Sequence, residues 1–227
     1  MEKAQTNSSA HVCTPGSEFI ANLPAWDRVP RLATWINRVF EAEGSENSHR
    51  KAMIGLHLIT DLTARAMPHK ISANNRVIHG PGCPAPYVFC LVGSQSCGKS
   101  SALEHLTGLV TSQISFNELE LGRPSALHTE WLVEITDVHH TAEWNTLKAL
   151  TSCTHDQVRA RYSRTPTIAA RTAVIAVTSN QAPKQPFEHR RLYVVEITRQ
   201  SVDIQWLKAN RTQLFAEAKH WLLEAAA

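Results

Sequence analysis

The sequence predicts a layered α/β domain built on a parallel sheet and preceded by a helical region, and three observations carry that expectation. First, the continuous apolar run YVFCLV at 87–92 is bounded by turn-forming residues, the pattern of a strand buried on both faces. Second, further strand-like runs at Trp131–Ile135, Ala173–Thr178 and Leu192–Ile197 alternate with helical stretches at Ser100–Ser112 and Thr141–Ser152. Such alternation builds a parallel sheet covered by helices. Third, apolar residues recur every three or four positions at Leu32, Trp35, Ile36, Val39 and Phe40, and again at Met53, Ile54, Leu56, Ile59 and Leu62. That spacing specifies two helices.

The polar break Glu43–Ser48 separates those helices, and Met67–Pro86, which holds four of the eleven prolines, ends the helical region. Residues 1–22 are polar and without period, so a loose N-terminal tail is expected there. The helical region then covers 23–80, the core 81–200, and a closing helical segment 201–227. In that last segment Trp206, Leu207, Leu214, Phe215, Ala218, Trp221 and Leu222 recur at the spacing of one or two helices.

Composition bounds the functional classes. A chain of 227 residues with 43% apolar and 19% charged residues suits one sizeable folded domain. The formal charge of +3 permits a nucleic-acid partner without indicating one. Cys13, Cys83, Cys90, Cys97 and Cys153 form no C-x-x-C pair, so reduced thiols are expected rather than a disulfide framework or a zinc module. No apolar stretch of roughly 20 residues exists to span a bilayer, and the first twenty residues lack the apolar core of a secretory signal. A cytoplasmic protein with no membrane contact is the expectation.

The segment GSQSCGKS follows the first predicted strand and precedes a helix, and it fills every fixed position of the phosphate-loop pattern. Gly93 and Gly98 let the backbone of Gly93, Ser94, Gln95, Ser96, Cys97 and Gly98 fold into a nest of N–H donors for phosphate. The following helix adds its positive end. Lys99 reaches the β- and γ-phosphates, and the Ser100 hydroxyl suits Mg²⁺, which prefers hard oxygens. ATP and Mg²⁺ are the expected ligands.

Hydrolysis also needs an acid to orient water and help hold metal. WLVEITD offers Glu134, an acid inside an apolar strand that is costly to bury unless paired or metal-bound. A structural, salt-bridged glutamate is the alternative. Asp137 is a second metal candidate or, equally, a helix N-cap before Thr141. Asn180, at the end of TAVIAVTSN, could contact water or γ-phosphate, although Asn is common where strands turn into loops. Arg190 and Arg191 either solvate a sheet edge or supply an arginine finger to a neighbouring subunit. Lys148, Arg159, Arg161, Arg164 and Arg171, with Tyr162 among them, form a basic stretch suited to a nucleic-acid backbone or to a subunit contact. His139, His140 and His155 lack partners at metal spacing and read as structural.

Taken in order, PAWDRVPRL, GSQSCGKS, WLVEITD, LKALTSCTHDQVRARYSR, VTSN, the arginine pair and RTQLFAEA resemble the virulence-associated E family of P-loop ATPases, related to superfamily 3 helicases. The resemblance runs from about Trp26 to Ala218. It implies a three-layer AAA+-like core, ATP hydrolysis with Mg²⁺, and a ring-forming homo-oligomer, with a hexamer among the allowed rings. It further implies a helicase-like motor on single- or double-stranded DNA during replication of a phage or mobile element; either a separate primase or replication partner works with it or it is a minimal motor. Carried over by position, Lys99 and Ser100 match the phosphate and metal residues, Glu134 the acid, Asn180 the sensor, Arg190 or Arg191 the finger, and Lys148–Tyr162 the segment near a DNA-facing hairpin. Two departures stand out: Glu188-His189 replaces a frequent glycine before the arginine pair, and Asp137 stands where glutamate is frequent. A small-molecule P-loop kinase and a non-catalytic nucleotide-dependent adaptor are the rival functions.

Overall fold

The structure is a computed structural model and describes residues 15–41, 48–108, 111–121, 125–136, 138–159, 165–183 and 191–225, Pro15 and Leu121 by backbone alone. In chain order, helices α1 (Pro15–Ala21), α2 (Trp35–Phe40) and α3 (His49–Ala66) precede a small hairpin of β1 (Lys70–Ile71) and β2 (Val77–His79). The core continues with β3 (Val88–Val92), α4 (Lys99–Thr107), β4 (Ser112–Ser115), α5 (Phe116–Leu121), α6 (Ala126–Thr129), β5 (Leu132–Thr136) and α7 (Thr141–Thr151). A second hairpin, β6 (His155–Val158) and β7 (Thr167–Ala170), leads to β8 (Val174–Ser179), β9 (Leu192–Glu196) and α8 (Ile204–Ala225).

Five strands form one parallel sheet in the order β4-β5-β8-β3-β9. The strand that feeds the phosphate loop is therefore interior, and β8 lies between it and the strand carrying Glu134. Every residue of β3 is buried, as the unbroken apolar run requires. Alternate side chains enter two cores: Phe89, Leu91, Leu132, Val174 and Ala176 on one face, Val88, Cys90, Val133, Ile135, Ile175 and Val177 on the other. The first core takes in α1, α2, α3, α4 and α8; the second takes in α5, α6 and α7. This is the expected α/β core with helices on both faces of a parallel sheet.

Two expectations need correction. Within the stretch 1–22, expected to be a loose tail, Pro15–Ala21 form α1, which buries Ile20 in the first core and sets Phe19 against Trp131 and Phe215, with ring centroids 5.8 and 5.4 Å away. The helix expected over Ser100–Ser112 ends at Thr107, where Gly108 adopts a left-handed φ of 69°. Arg211 of α8 packs there and donates to the carbonyls of Leu106 (2.8 Å) and Thr107, satisfying acceptors that a helix end leaves open. Ser112 begins edge strand β4 instead. The closing segment is a single helix of 22 residues. Among the described residues no helix is long and apolar enough to cross a membrane.

Helix α8 also clasps the segment entering α2. Glu217, buried at 4% exposure, accepts from the backbone N–H of Arg31 (2.7 Å) and Leu32 (3.1 Å), while Asn210 Oδ1 accepts from Arg31 and Gln213 Oε1 from the Asp27 N–H, each at 2.9 Å. Lys219 reaches the other way to α1, donating to the Ile20 carbonyl at 2.7 Å.

Within α3, Asp61 Oδ2 is buried without a hydrogen-bond partner among the described residues. Burial pushes its carboxyl up to about 7, only partly offset by the Arg65 charge. Between pH 3.8, its ordinary value, and about 7, the native chain keeps a proton that the unfolded chain has released, so this group lowers stability as pH rises through that window. Asp61→Asn should remove that decline. Denaturant titrations at pH 5 and pH 8 should show the variant gaining on the parent chain at the higher pH; a stability difference independent of pH would exclude Asp61 as the cause.

Candidate functional site

The phosphate loop leaves the end of β3 as the sequence suggests, and its shape depends on two residues in left-handed conformations, Ser96 (φ 62°) and Gly98 (φ 97°). At Gly98 a Cβ would also lie 2.7 Å from Val202 Cγ2. The loop is held from behind by the stretch after β9: the Val202 N–H donates to the Cys97 carbonyl at 3.0 Å, and Cys97 is buried. The Gly93 N–H is bonded to the Ser179 carbonyl of β8 at 3.2 Å. Lys99 opens α4, so the loop ends on a helix N-terminus as anion binding requires.

Two groups of side chains converge at this end of the sheet. In the first, Lys99 Nζ donates to the carbonyls of Gly93 (2.9 Å) and Ser94 (2.8 Å) and to Asn180 Oδ1 (2.9 Å). The ammonium thus sits in its own loop and joins it to Asn180. In the second, Glu134 is fully buried, and its Oε1 accepts from Ser100 Oγ at 2.7 Å and Thr178 Oγ1 at 2.6 Å. Its Oε2 accepts from Gln113 Nε2 at 3.0 Å. Sheet register explains the convergence: Gln113 pairs with Glu134, Glu134 pairs with Ala176, and Thr178 lies two residues further on the same face, toward α4. No salt bridge to Glu134 occurs among the described residues, so the structural alternative of an ion-paired glutamate is not what the geometry presents.

Beyond Lys99 lies a cleft of about 310 Å³ lined by Lys99, Thr136, Val138, His139, Thr178, Ser179, Asn180 and Gln181. Its walls offer an ammonium, a carboxamide, hydroxyls and an imidazole, the donors that phosphoryl oxygens accept. Among the described residues no group of three or more His, Cys, Asp or Glu could hold a metal by itself. Mg²⁺ fits such a site when one or two protein oxygens complete a shell of water and phosphate, and Ser100 Oγ with Glu134 Oε1 provides that pair of hard oxygens.

Sequence reasoning missed Gln113, Thr178 and His139. Thr178 was legible in principle as the hydroxyl two residues before Asn180. Gln113 was hidden by the expectation that the helix ran to Ser112. His139, read as structural, lines the cleft.

The remaining expected site residues lie elsewhere. Arg191 precedes β9, which runs parallel to β3 with Leu192 beside Val88, so it stands at the opposite end of the sheet, roughly 16 Å from the phosphate loop at the rise of a strand. There it donates to Ser152 Oγ at the end of α7. Lys148 needs correction as a nucleic-acid contact: it faces inward from α7 with 8% exposure, and burial lowers its ammonium's proton affinity. Arg171 is likewise buried, paired bidentately with Asp156 at 2.5 and 2.8 Å, and anchors the β6–β7 hairpin. Arg159, at the end of β6, is exposed. Asp137, Arg161, Tyr162, Arg164 and Arg190 lie outside the described residues.

With this geometry in view, the chain can be set beside known proteins. The family model for the virulence-associated protein E-like domain matches residues 20–226. Similar solved structures include the A form apo structure of NrS-1 C terminal region-CTR, with a TM-score of 0.56 and 13% identity over 88% of this chain and 47% of that one. Another is the A form apo structure of NrS-1 C terminal region-CTR(305-718), with a TM-score of 0.54 and 12% identity over 87% of this chain and 46% of that one. This chain therefore spans about half the length of those structures, and the likeness is one of fold. No curated protein matches.

The loop geometry is directly testable at Gly98. Gly98→Ala should cost about 1–2 kcal/mol in backbone strain alone, with the Val202 contact adding to it, and should weaken nucleotide binding. Thermal melting and nucleotide titration of the variant check both; unchanged values in both would show that the loop does not depend on this conformation.

Proposed function

We propose that this chain, which belongs to the virulence-associated protein E-like family, binds and hydrolyses ATP and couples that cycle to work on DNA as a helicase-like motor in the replication of a phage or mobile element. The observation that carries the proposal is the convergence on one sheet end of a phosphate loop, Lys99 bonded to Asn180, and a buried acid bonded to Ser100.

The loop N–H groups bind phosphate, and Lys99 exchanges its bonds to Gly93, Ser94 and Asn180 for phosphate oxygens. That exchange frees Asn180 to orient the terminal phosphate or the attacking water. Glu134, its position fixed by the rigid sheet, accepts a proton from that water or holds it in line. Mg²⁺ bound at Ser100 and Glu134 would supply charge neutralisation for the phosphates. Asp137 is proposed as a second acid beside Glu134.

Coupling to DNA is supported by features at the other end of the sheet. The β6–β7 hairpin is fixed at its base by the buried Asp156–Arg171 pair and by Arg171 donating to the Leu150 carbonyl at 2.5 Å, and it carries exposed Arg159. Arg161, Tyr162 and Arg164 follow Arg159 in sequence and are proposed to contact the backbone and bases. Arg191, too far from its own phosphate loop to act there, suits a finger that completes the site of an adjacent subunit in a ring, with Arg190 as its alternate.

Three measurements test these roles. Lys99→Ala should abolish ATP binding, and retained tight binding would remove the phosphate-loop assignment. Glu134→Gln should keep ATP bound while turnover falls by about a hundredfold or more; undiminished turnover would pass the role to another acid. Mixing Arg191→Ala with Lys99→Ala subunits should restore part of the activity each lacks, whereas no recovery at any ratio would argue against a shared site.

A further inference from the structure

Among the groups lining the cleft beyond Lys99, the imidazole has no role in the chemistry above. His139 lies just past the strand that carries Glu134, on the wall shared by Thr136 and Val138, with Asn180 and Lys99 also bordering the space. Its backbone is fixed: the N–H groups of His139 and His140 both donate to Glu143 Oε2, at 2.5 and 2.7 Å, where that carboxylate closes the first turn of α7. The side chain is exposed, and no hydrogen bond or ion pair engages its ring among the described residues. A pinned backbone with an exposed ring on a polar cleft, acted on electrostatically by the Glu143 carboxylate but hydrogen-bonded to nothing among the described residues, is an arrangement suited to a ligand.

The ligand's chemistry follows from the other walls. Lys99 and Asn180, the pair proposed to turn toward phosphate oxygens, border the same space, and it opens beyond the lysine that contacts the β- and γ-phosphates in such loops. An imidazole carries at least one N–H in either protonation state, so it can donate to an oxygen there without any change of charge. We infer that His139 is a terminal-phosphate recognition residue, donating from its ring to a γ-phosphate oxygen and so distinguishing ATP from ADP. The inference rests on the nucleotide reading above and adds a discriminating contact to it.

Titrations with Mg²⁺-ADP and with the β,γ-imido analogue of ATP test it, because the two ligands differ at the group His139 would touch. A hydrogen bond to a charged group is worth about 1.5–3 kcal/mol, so His139→Ala should lower the preference for the ATP analogue over ADP by about tenfold or more. ADP affinity itself should change little. His139→Gln, whose amide N–H can occupy a similar place, should recover part of the preference. An equal loss for both ligands, or an unchanged ratio, would overturn the inference and leave nucleotide binding intact. Failure of the unsubstituted chain to bind either ligand would instead overturn the phosphate-loop reading, and this inference with it.

Discussion

A carboxylate with no exposed surface must be met by donors or lose its charge, and Glu134 is such a carboxylate. An uncompensated buried charge costs several kcal/mol, a large share of the stability of a domain this size. Donors from three elements meet it together, because α4 brings Ser100, β8 brings Thr178 and β4 brings Gln113. Each donor is in place only because the neighbouring strand keeps its register and because α4 begins directly after the loop. The same residues that settle the charge would hold metal and water in the working site, so folding and chemistry draw on one arrangement. The Ser100 hydroxyl has one hydrogen to donate and lone pairs besides, so it could keep its bond to Glu134 while its oxygen met a metal.

The two ends of the sheet divide the labour. The ends of β3, β5 and β8 gather the phosphate loop, Glu134, Asn180 and His139. The beginnings of β8 and β9 gather Arg171, Arg191 and the β6–β7 hairpin. Helix α8 and the stretch leading into it tie the assembly together: Val202, just before the helix, backs the phosphate loop, Arg211 within it closes α4, and Glu217 holds the entry to α2. The sequence segments PAWDRVPRL and RTQLFAEA, far apart in the chain, are therefore two sides of one contact, in which Glu217 and Gln213 meet Leu32, Arg31 and Asp27.

Much of this was legible because strong local signals coincide with structure. The run YVFCLV is apolar at every position because β3 is covered on both faces, and GSQSCGKS has its second glycine where the backbone turns left-handed. Glu134 stood out because an acid in such a strand needs a reason. What stayed hidden depends on contacts distant in sequence. Gln113 belongs to a strand with one buried apolar residue, Ile114, too little for periodicity to reveal. Phe19 and Ile20 form a short helix that exists by packing on Trp131 and Phe215. Lys148 and Arg171 read as a basic surface because charge is visible in sequence while burial is not. Arg171 is neutralised by Asp156, the single acid of that stretch, across the turn of a hairpin.

The central claim, that Ser100 Oγ and Glu134 would together hold the metal that accompanies the nucleotide, is tested most directly by the metal dependence of ATP affinity. ATP binding should be measured with Mg²⁺ and with a chelator, in the unsubstituted chain and in Ser100→Ala. The expected result is a strong Mg²⁺ enhancement of affinity in the first and a much smaller one in the second. Equal enhancement in both proteins would contradict the claim, because the metal would then be held without the hydroxyl that Glu134 now occupies.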